Sequence, residues 1–351
     1  MEPDNPTRNP KRNRWAHRIS TAAIATGLLC VATNTPAGAG EWSLRLDWLH
    51  MQVSGHDRPV VDIQEIDASG SQASNSQIIL STDSGSAYRT EVQYRMNKKW
   101  GFGVDFLWFK TSQSAPVATA SADGPAGPIA EVIYEIPDRQ YSSTGPNEVL
   151  FYNVLEDTAL ATWTWDTYAI RNLSEKPNRT IDLQFGLRIS DFDNDYRAVA
   201  GIQEQAGTRM DSSSNYPALP GPVVGVAGEW RRGKHIFEGF LAQAVLFGDV
   251  ELDARTRDFL GPFSEMPDPP FFEDERLTLT QSETIPITDL QFRWTYQVSK
   301  MFGLGVGIHS STWWGLPVPP GVEPGGEGSS QTLHENDLTF YGLMIGLEVD
   351  L

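Results

Sequence analysis

Tyr88-Arg89-Thr90-Glu91-Val92-Gln93-Tyr94-Arg95-Met96 alternates without a break. Tyr88, Thr90, Val92, Tyr94 and Met96 fall on one side of an extended chain, and Arg89, Glu91, Gln93 and Arg95 on the other. Side chains of a strand alternate with a period of two, so the segment has one apolar and one charged face. Wound into a helix, the same residues would scatter their charges around the whole surface. The stretch reads as a strand, aromatic on one face and carrying charges of both signs on the other.

The pattern recurs. In residues 181–190, Ile181, Leu183, Phe185, Leu187 and Ile189 oppose Asp182, Gln184, Gly186, Arg188 and Ser190. In residues 289–298, Leu290, Phe292, Trp294, Tyr296 and Val298 oppose Asp289, Gln291, Arg293, Thr295 and Gln297. Weaker cases bring the set to ten strands, near 42–53, 86–96, 100–110, 159–172, 180–191, 222–232, 235–248, 287–298, 302–313 and 338–351. Short turns at 97–99, 173–179, 232–234 and 299–301 alternate with long polar stretches at 54–85, 111–158, 192–221, 249–286 and 314–337. Ten strands with short turns at one rim and long loops at the other make an antiparallel transmembrane β-barrel, the short turns periplasmic and the long loops extracellular. Val60–Ile66 with Gln77–Ser81, and Ile129–Ile136 with Glu148–Val154, allow twelve strands; they read better as hairpins standing above the membrane.

Composition agrees. The chain has 351 residues, a formal charge of -18 and a pI near 4.7. With no basic stripe to neutralise phosphates, nucleic acid is excluded as a partner. Arg8, Lys11, Arg12, Arg14 and Arg18 precede an apolar stretch from Thr21 to Val31 and the small residues Ala37-Gly38-Ala39. That order predicts a signal peptide over 1–39 and a barrel over 40–351. Cleavage there removes the single cysteine, Cys30, and leaves a net charge near -21. No run of 18 apolar residues follows, so only a closed barrel can satisfy the backbone within a bilayer. A soluble β-sandwich also alternates. Against it, Trp42, Trp48, Tyr94, Trp100, Trp108, Trp163, Trp165, Trp230 and Tyr341 sit on the apolar face, many towards strand ends where aromatic girdles lie.

Tyr341-Gly342-Leu343-Met344-Ile345-Gly346-Leu347-Glu348-Val349-Asp350-Leu351 alternates and stops on an outward apolar residue. It resembles the terminal strand of bacterial outer-membrane β-barrel proteins, with Leu351 where most members carry Phe. Glu41-Trp42-Ser43-Leu44-Arg45-Leu46-Asp47-Trp48 resembles the first strands of porin-like members. The resemblance is general and names no subfamily. It implies an outer-membrane location, the barrel-assembly machinery as a partner during biogenesis, and contact with outer-membrane lipid and lipopolysaccharide.

On this reading the polar face lines the lumen. Arg45, Asp47, Arg89, Glu91, Arg95 and Asp105 line it from the first three strands. Asp182, Arg188, Glu229, Asp289, Arg293 and Glu348 do so from later ones, together with Asp166, Arg231, Glu238 and Asp350. Opposite charges there should pair across strands, since an unpaired buried charge is costly. The first and last strands must meet, so Arg45 is expected near Glu348 or Asp350. Gly303, Gly305, Gly307, Gly342 and Gly346 leave one lumen stripe bare, either making room for bulky neighbours or opening a solute path.

Catalytic patterns are incomplete. His309 and Ser311 have the His-x-Ser spacing of barrel-type lipid A deacylases, with Glu323 following, but alternation turns His309 to the lumen and not to lipid. Asp191, Asp193 and Asp195 supply half of an omptin-type protease set, and no Asp-x-His completes it. The same three carboxylates are a candidate cation site, because hard cations want several oxygens. No cofactor motif is present. The sequence therefore favours a narrow passive porin-like channel or a structural barrel. The alternative is a surface receptor or adhesin using the acidic loops, and an outer-membrane hydrolase ranks last.

Overall fold

The computed structural model describes residues 40–55, 59–67, 72–79, 84–120, 129–136, 139–144, 152–202, 206–260, 271–318 and 334–351. The export segment expected over 1–39 lies outside them, as does Glu323. Fourteen strands are described: β1 (Glu41–Ser54), β2 (Pro59–Asp67), β3 (Gln72–Ile79), β4 (Gly85–Arg95), β5 (Trp100–Ala120), β6 (Ile129–Ile136) and β7 (Arg139–Thr144). They continue with β8 (Tyr152–Lys176), β9 (Arg179–Ile202), β10 (Ala206–Arg232), β11 (His235–Leu260), β12 (Phe271–Gln297), β13 (Phe302–Val318) and β14 (His334–Asp350).

Ten of these close a barrel in the order β1-β14-β13-β12-β11-β10-β9-β8-β5-β4, every neighbour antiparallel. Closure joins the first and last strands: Leu351 N–H donates to the Trp42 carbonyl at 2.8 Å, and Trp42 N–H donates to the Leu351 carbonyl at 3.2 Å. The remaining four strands form a separate antiparallel sheet, β3-β2-β6-β7, and add nothing to the barrel wall. The barrel has ten strands and not twelve, and residues from Tyr152 onward belong to β8 rather than to a hairpin.

Outward apolar side chains occupy about ten residues of each strand next to the short turns. On β9 these include Phe185, Leu187 and Ile189, and on β13 Phe302, Leu304, Val306 and Ile308, all exposed. Ten residues at about 3.3 Å each, tilted about 40°, make a belt about 25 Å tall, the height of a transmembrane barrel's apolar band. Aromatic pairs edge the belt on both sides. Trp42 lies 4.5 Å from Tyr94 at the short-turn rim, and Tyr88 stacks on Trp108 at 6.0 Å at the other. This is the surface of a barrel that spans a bilayer.

Several strands run far past the belt. The stretch 192–221, expected as a loop, is mostly wall: β9 reaches Ile202 and β10 begins at Ala206. Likewise β11 extends to Leu260 and β12 begins at Phe271, inside the expected loop 249–286. The reason is an inversion of the alternating pattern. Within the belt β1 turns Leu46 and Trp48 outward and Arg45 and Asp47 inward; above it, His50 and Gln52 face out while Leu49, Met51 and Val53 are buried inside. Above the bilayer the outside is wet and the inside is the only dry place left, so the sign of the pattern flips.

Prolines concealed the upper part of β10, from Ala206 to Gly221. Pro217, Pro220 and Pro222 lack the N–H that a sheet ladder needs. Pairing with β9 continues through Leu219↔Ser190 to Pro222↔Leu187 after a bulge, where Ala218 takes φ 46°. Pairing with β11 stops at Asn215↔Glu251 and resumes only at Val223↔Ala244.

Candidate functional site

The interior has two storeys. The one nearer the short turns is charged. Arg45 reaches three carboxylates at once: Glu348 at 3.2 Å, Glu91 at 3.5 Å, and Glu238. Glu91 also accepts from the Tyr168 hydroxyl at 2.6 Å and from Gln93 at 2.7 Å. Arg95 pairs with Asp182, which takes a further hydrogen bond from Asn172 at 2.9 Å. Glu229 lies at the mouth with Arg231.

One level deeper, Arg89 binds Asp105 at 2.7 Å and donates to Gln291. Arg188 bridges Asp166 and Asp289, each at 2.6 Å. Arg293 donates to Asp47 at 2.7 Å with the two side chains 1% and 2% exposed. The bridges run across the lumen between strands as well as along the wall, so they tie the barrel together from inside.

A polar cavity of about 80 Å³ lies among these groups, lined by Arg45, Glu91, Asp105, Tyr168, Asp182 and Glu238 among others. At roughly 10–15 Å³ per water it holds on the order of five waters. The glycine stripe does not widen it. A Cβ at Gly346 would collide with the Asp47 carboxylate, and one at Gly305 would come within 2.8 Å of the Arg293 guanidinium carbon. A Cβ at Gly307 would meet Met344. The bare stripe is the space that the Arg293–Asp47 pair and Met344 occupy.

The second storey is apolar. Leu49, Phe109, Leu246, Ile285 and Ile287 are fully buried, and Phe192, Tyr216, Trp313 and Phe340 fill the middle. Phe340 lies 5.6 Å from Phe109, 6.3 Å from Trp313 and 6.5 Å from Phe192. Together with Leu219, Val250, Leu252 and Leu338 these side chains make one contiguous core across the lumen. In the sequence, alternation gathers the charges of the first storey on one face of each strand. This apolar storey was not read there, although Leu49, Met51 and Val53 stand in strict alternation.

His309 and Ser311 lie at the boundary between the storeys, both facing inward and 7% and 6% exposed. Ser311 hydrogen-bonds to Asp289, its register partner on β12, and not to His309. Neither ring nitrogen of His309 has a hydrogen-bond partner among the described residues. Ser311 is thus held by a carboxylate beneath a packed core, and no hydrogen bond joins it to His309.

Asp191, Asp193 and Asp195 project outward from β9, above the apolar belt. Along a strand, same-face residues are about 6.6 Å apart, too spread to share one ion. Among the described residues no three His, Cys, Asp or Glu side chains are gathered to hold a metal. The expected cation site is instead the wet face of a strand that continues beyond the membrane.

No family model matches the chain, and no curated protein matches it. Among solved structures it is similar to the outer-membrane protease OmpT of Escherichia coli, at 10% identity and a TM-score of 0.47, over 91% of this chain and 99% of that one. It is also similar to the toluene transporter TodX of Pseudomonas putida, at 9% identity and a TM-score of 0.27 over 90% of both chains. A FadL homologue from Pseudomonas aeruginosa follows at 8% identity and a TM-score of 0.22, over 91% of this chain and 93% of that one. Likenesses this distant carry no residue or activity across.

Proposed function

We propose that this is an outer-membrane barrel with a sealed lumen, acting as a structural wall that carries its working surface beyond the bilayer, and that residues 1–39 are its export signal. One observation carries the sealed reading: the core centred on Phe192, Trp313 and Phe340 crosses the lumen above a storey already filled by ion pairs. An interior of about ten strands leaves little space beyond its own side chains, and the polar cavity described above lies among the ion pairs, below the apolar core. Of the two readings the sequence favoured, packing supports the structural barrel over the passive channel. The test is planar-bilayer conductance of the refolded chain, with heat-modifiable gel mobility reporting folding. Silence from a folded barrel is expected; reproducible conductance steps that change in Arg293→Ala would overturn the sealed reading.

The surface reading has its own support. β2, β3, β6 and β7 build a four-stranded sheet from the first two long connections, with β3 and β7 at its edges. A folded unit outside the barrel suits a receptor or adhesin. Deleting 59–79 and 129–144 should leave barrel mobility unchanged while abolishing binding of the protein to the cells or polymers it recognises. Binding that survives this deletion would move the surface to the barrel wall.

A further inference from the structure

The chain is strongly acidic, yet its short-turn rim is basic. Each of the four short turns carries an exposed cation: Lys98 and Lys99 between β4 and β5, and Lys176 and Arg179 around the next. Arg232 and Lys234 flank the third, and Lys300 is on the fourth. Arg171 stands exposed just inside the second. The acids on the same rim are fewer, chiefly Glu41, Glu175 and Asp350, with Glu229 already engaged by Arg231. Past the belt, the outward face of β9 carries Asp191, Asp193 and Asp195 instead.

The placement of these cations is specific. Arg171 sits over the Trp100 ring, 5.5 Å from its centre, and Lys234 over Tyr296 at 5.7 Å. Both rings belong to the aromatic edge of the apolar belt, on the lipid side of the wall. Cation–π contact therefore holds these charges against the outer face of the rim, at the depth where aromatic girdles meet lipid headgroups. The lumen mouth has its own ion pairs and does not use them.

We propose that the short-turn rim is a binding collar for anionic phospholipid headgroups of the leaflet it meets, with phosphate as the recognised group. The inference rests on the membrane-barrel reading. Basic residues near a membrane surface attract anionic lipid additively and over about a Debye length. A ring of seven or more around the wall therefore collects a shell of such lipid. The position beside the girdle favours headgroups over the carboxylates of a cell-wall polymer, which would be met by cations pointing away from the bilayer.

The experiment reconstitutes the full chain into phosphatidylcholine vesicles with and without phosphatidylglycerol. Spin-labelled phosphatidylglycerol and phosphatidylcholine then report which lipid is immobilised at the protein surface. A second protein carries Arg171→Gln, Lys176→Gln, Arg179→Gln, Arg232→Gln and Lys234→Gln. The expected result is a preference for phosphatidylglycerol of about threefold or more in the native chain. It should fall towards unity in the variant, and in about 0.5 M salt, where the Debye length is about 4 Å. Heat-modifiable mobility is followed in both vesicle types. A chain that folds and inserts with no lipid preference overturns the collar alone, whereas a chain that inserts in neither overturns the membrane barrel itself. A preference undiminished in the variant overturns the assignment to this rim. Sedimentation with purified cell-wall sacculi, lost in the variant while lipid preference is absent, would assign the rim to the cell wall instead.

Discussion

Arg293 on β12 and Asp47 on β1 form an ion pair at 2.7 Å across the barrel interior, almost fully buried, in space vacated by Gly305 on β13 and Gly346 on β14. Four strands thus cooperate on one contact. The arrangement turns a run of glycines, weak residues in a strand, into the mould for a long side chain.

Removing half of that pair should be severe. Arg293→Ala leaves the Asp47 carboxylate buried without its cation, at a cost of about 3–5 kcal/mol. Replacing both residues, Arg293→Met with Asp47→Leu, should recover most of the loss, because no charge is then stranded. Urea titration of the folded fraction by gel mobility measures both. A double variant as unstable as the single one would show that the pair does more than fill the mould.

The glycine mould predicts its own failure. Gly346→Val directs a side chain into the Asp47 carboxylate, and overpacking of this kind costs about 1–3 kcal/mol. Gly239→Val, where a Cβ meets nothing within 4 Å, should fold with near-native stability. Equal midpoints for the two variants would mean that Gly346 is not held to glycine by the Asp47 carboxylate.

Phe340 is central to the upper storey, and Phe340→Ala should cost about 3–5 kcal/mol. The cavity it leaves is lined by apolar side chains, so the barrel should still conduct no ions while folded. Conductance gained in this single variant would mean that the core is thinner than its contacts indicate.

The unpaired stretch between β10 and β11 has a signature in amide exchange. Over 245–250, β11 is bonded only to β12, so alternate amides should exchange quickly while those between them stay protected. Over 236–244, where both neighbours pair, all should be slow. Uniform protection through 245–250 would mean that the prolines do not interrupt the ladder.

Beyond the membrane, Asp211 carries a pH dependence. Burial pushes its pKa up, but hydrogen bonds from Arg197 and Arg257 and the charge of Arg209 outweigh that and hold it below the ordinary carboxylate value. Because the folded value is depressed, the stabilisation is complete above the unfolded pKa of about 3.9 and fades as pH falls through the lower folded value. Limited proteolysis should therefore find the far ends of β9, β10 and β11 opening in that acid range. Asp211→Asn should be the less pH-sensitive protein, and identical profiles for the two would mean that Asp211 does not set the acid opening.

Much of this molecule was legible as sequence. Period-two alternation with aromatics outside and mixed charges inside specified a ten-stranded barrel, because only closure leaves no strand edge in lipid. Closure also made Arg45 and Glu348 neighbours, and they are register partners 3.2 Å apart. The strand limits were less legible. At Trp48 and Leu49 on β1, and at Ile189 and Phe192 on β9, the apolar face changes sides as the wall leaves the bilayer, and a reading tuned to one sign of the pattern stops there. Pro217 and Pro220 read as loop because a proline in a strand normally means an edge, and Pro222 reads as the first residue of a strand; in this barrel the three create an edge locally, inside the wall.

By itself, then, the sequence determined the repeating local unit and the closed wall, since these depend only on residue period and on the solvents the wall must satisfy. The tertiary structure alone decided whether the interior is open. Closure brings side chains from strands distant in sequence to one axis, where the glycines of β13 and β14 receive Arg293 and Asp47 and the rings of β5, β9, β13 and β14 meet. That outcome depends on how volumes sum across the lumen, which no single strand encodes.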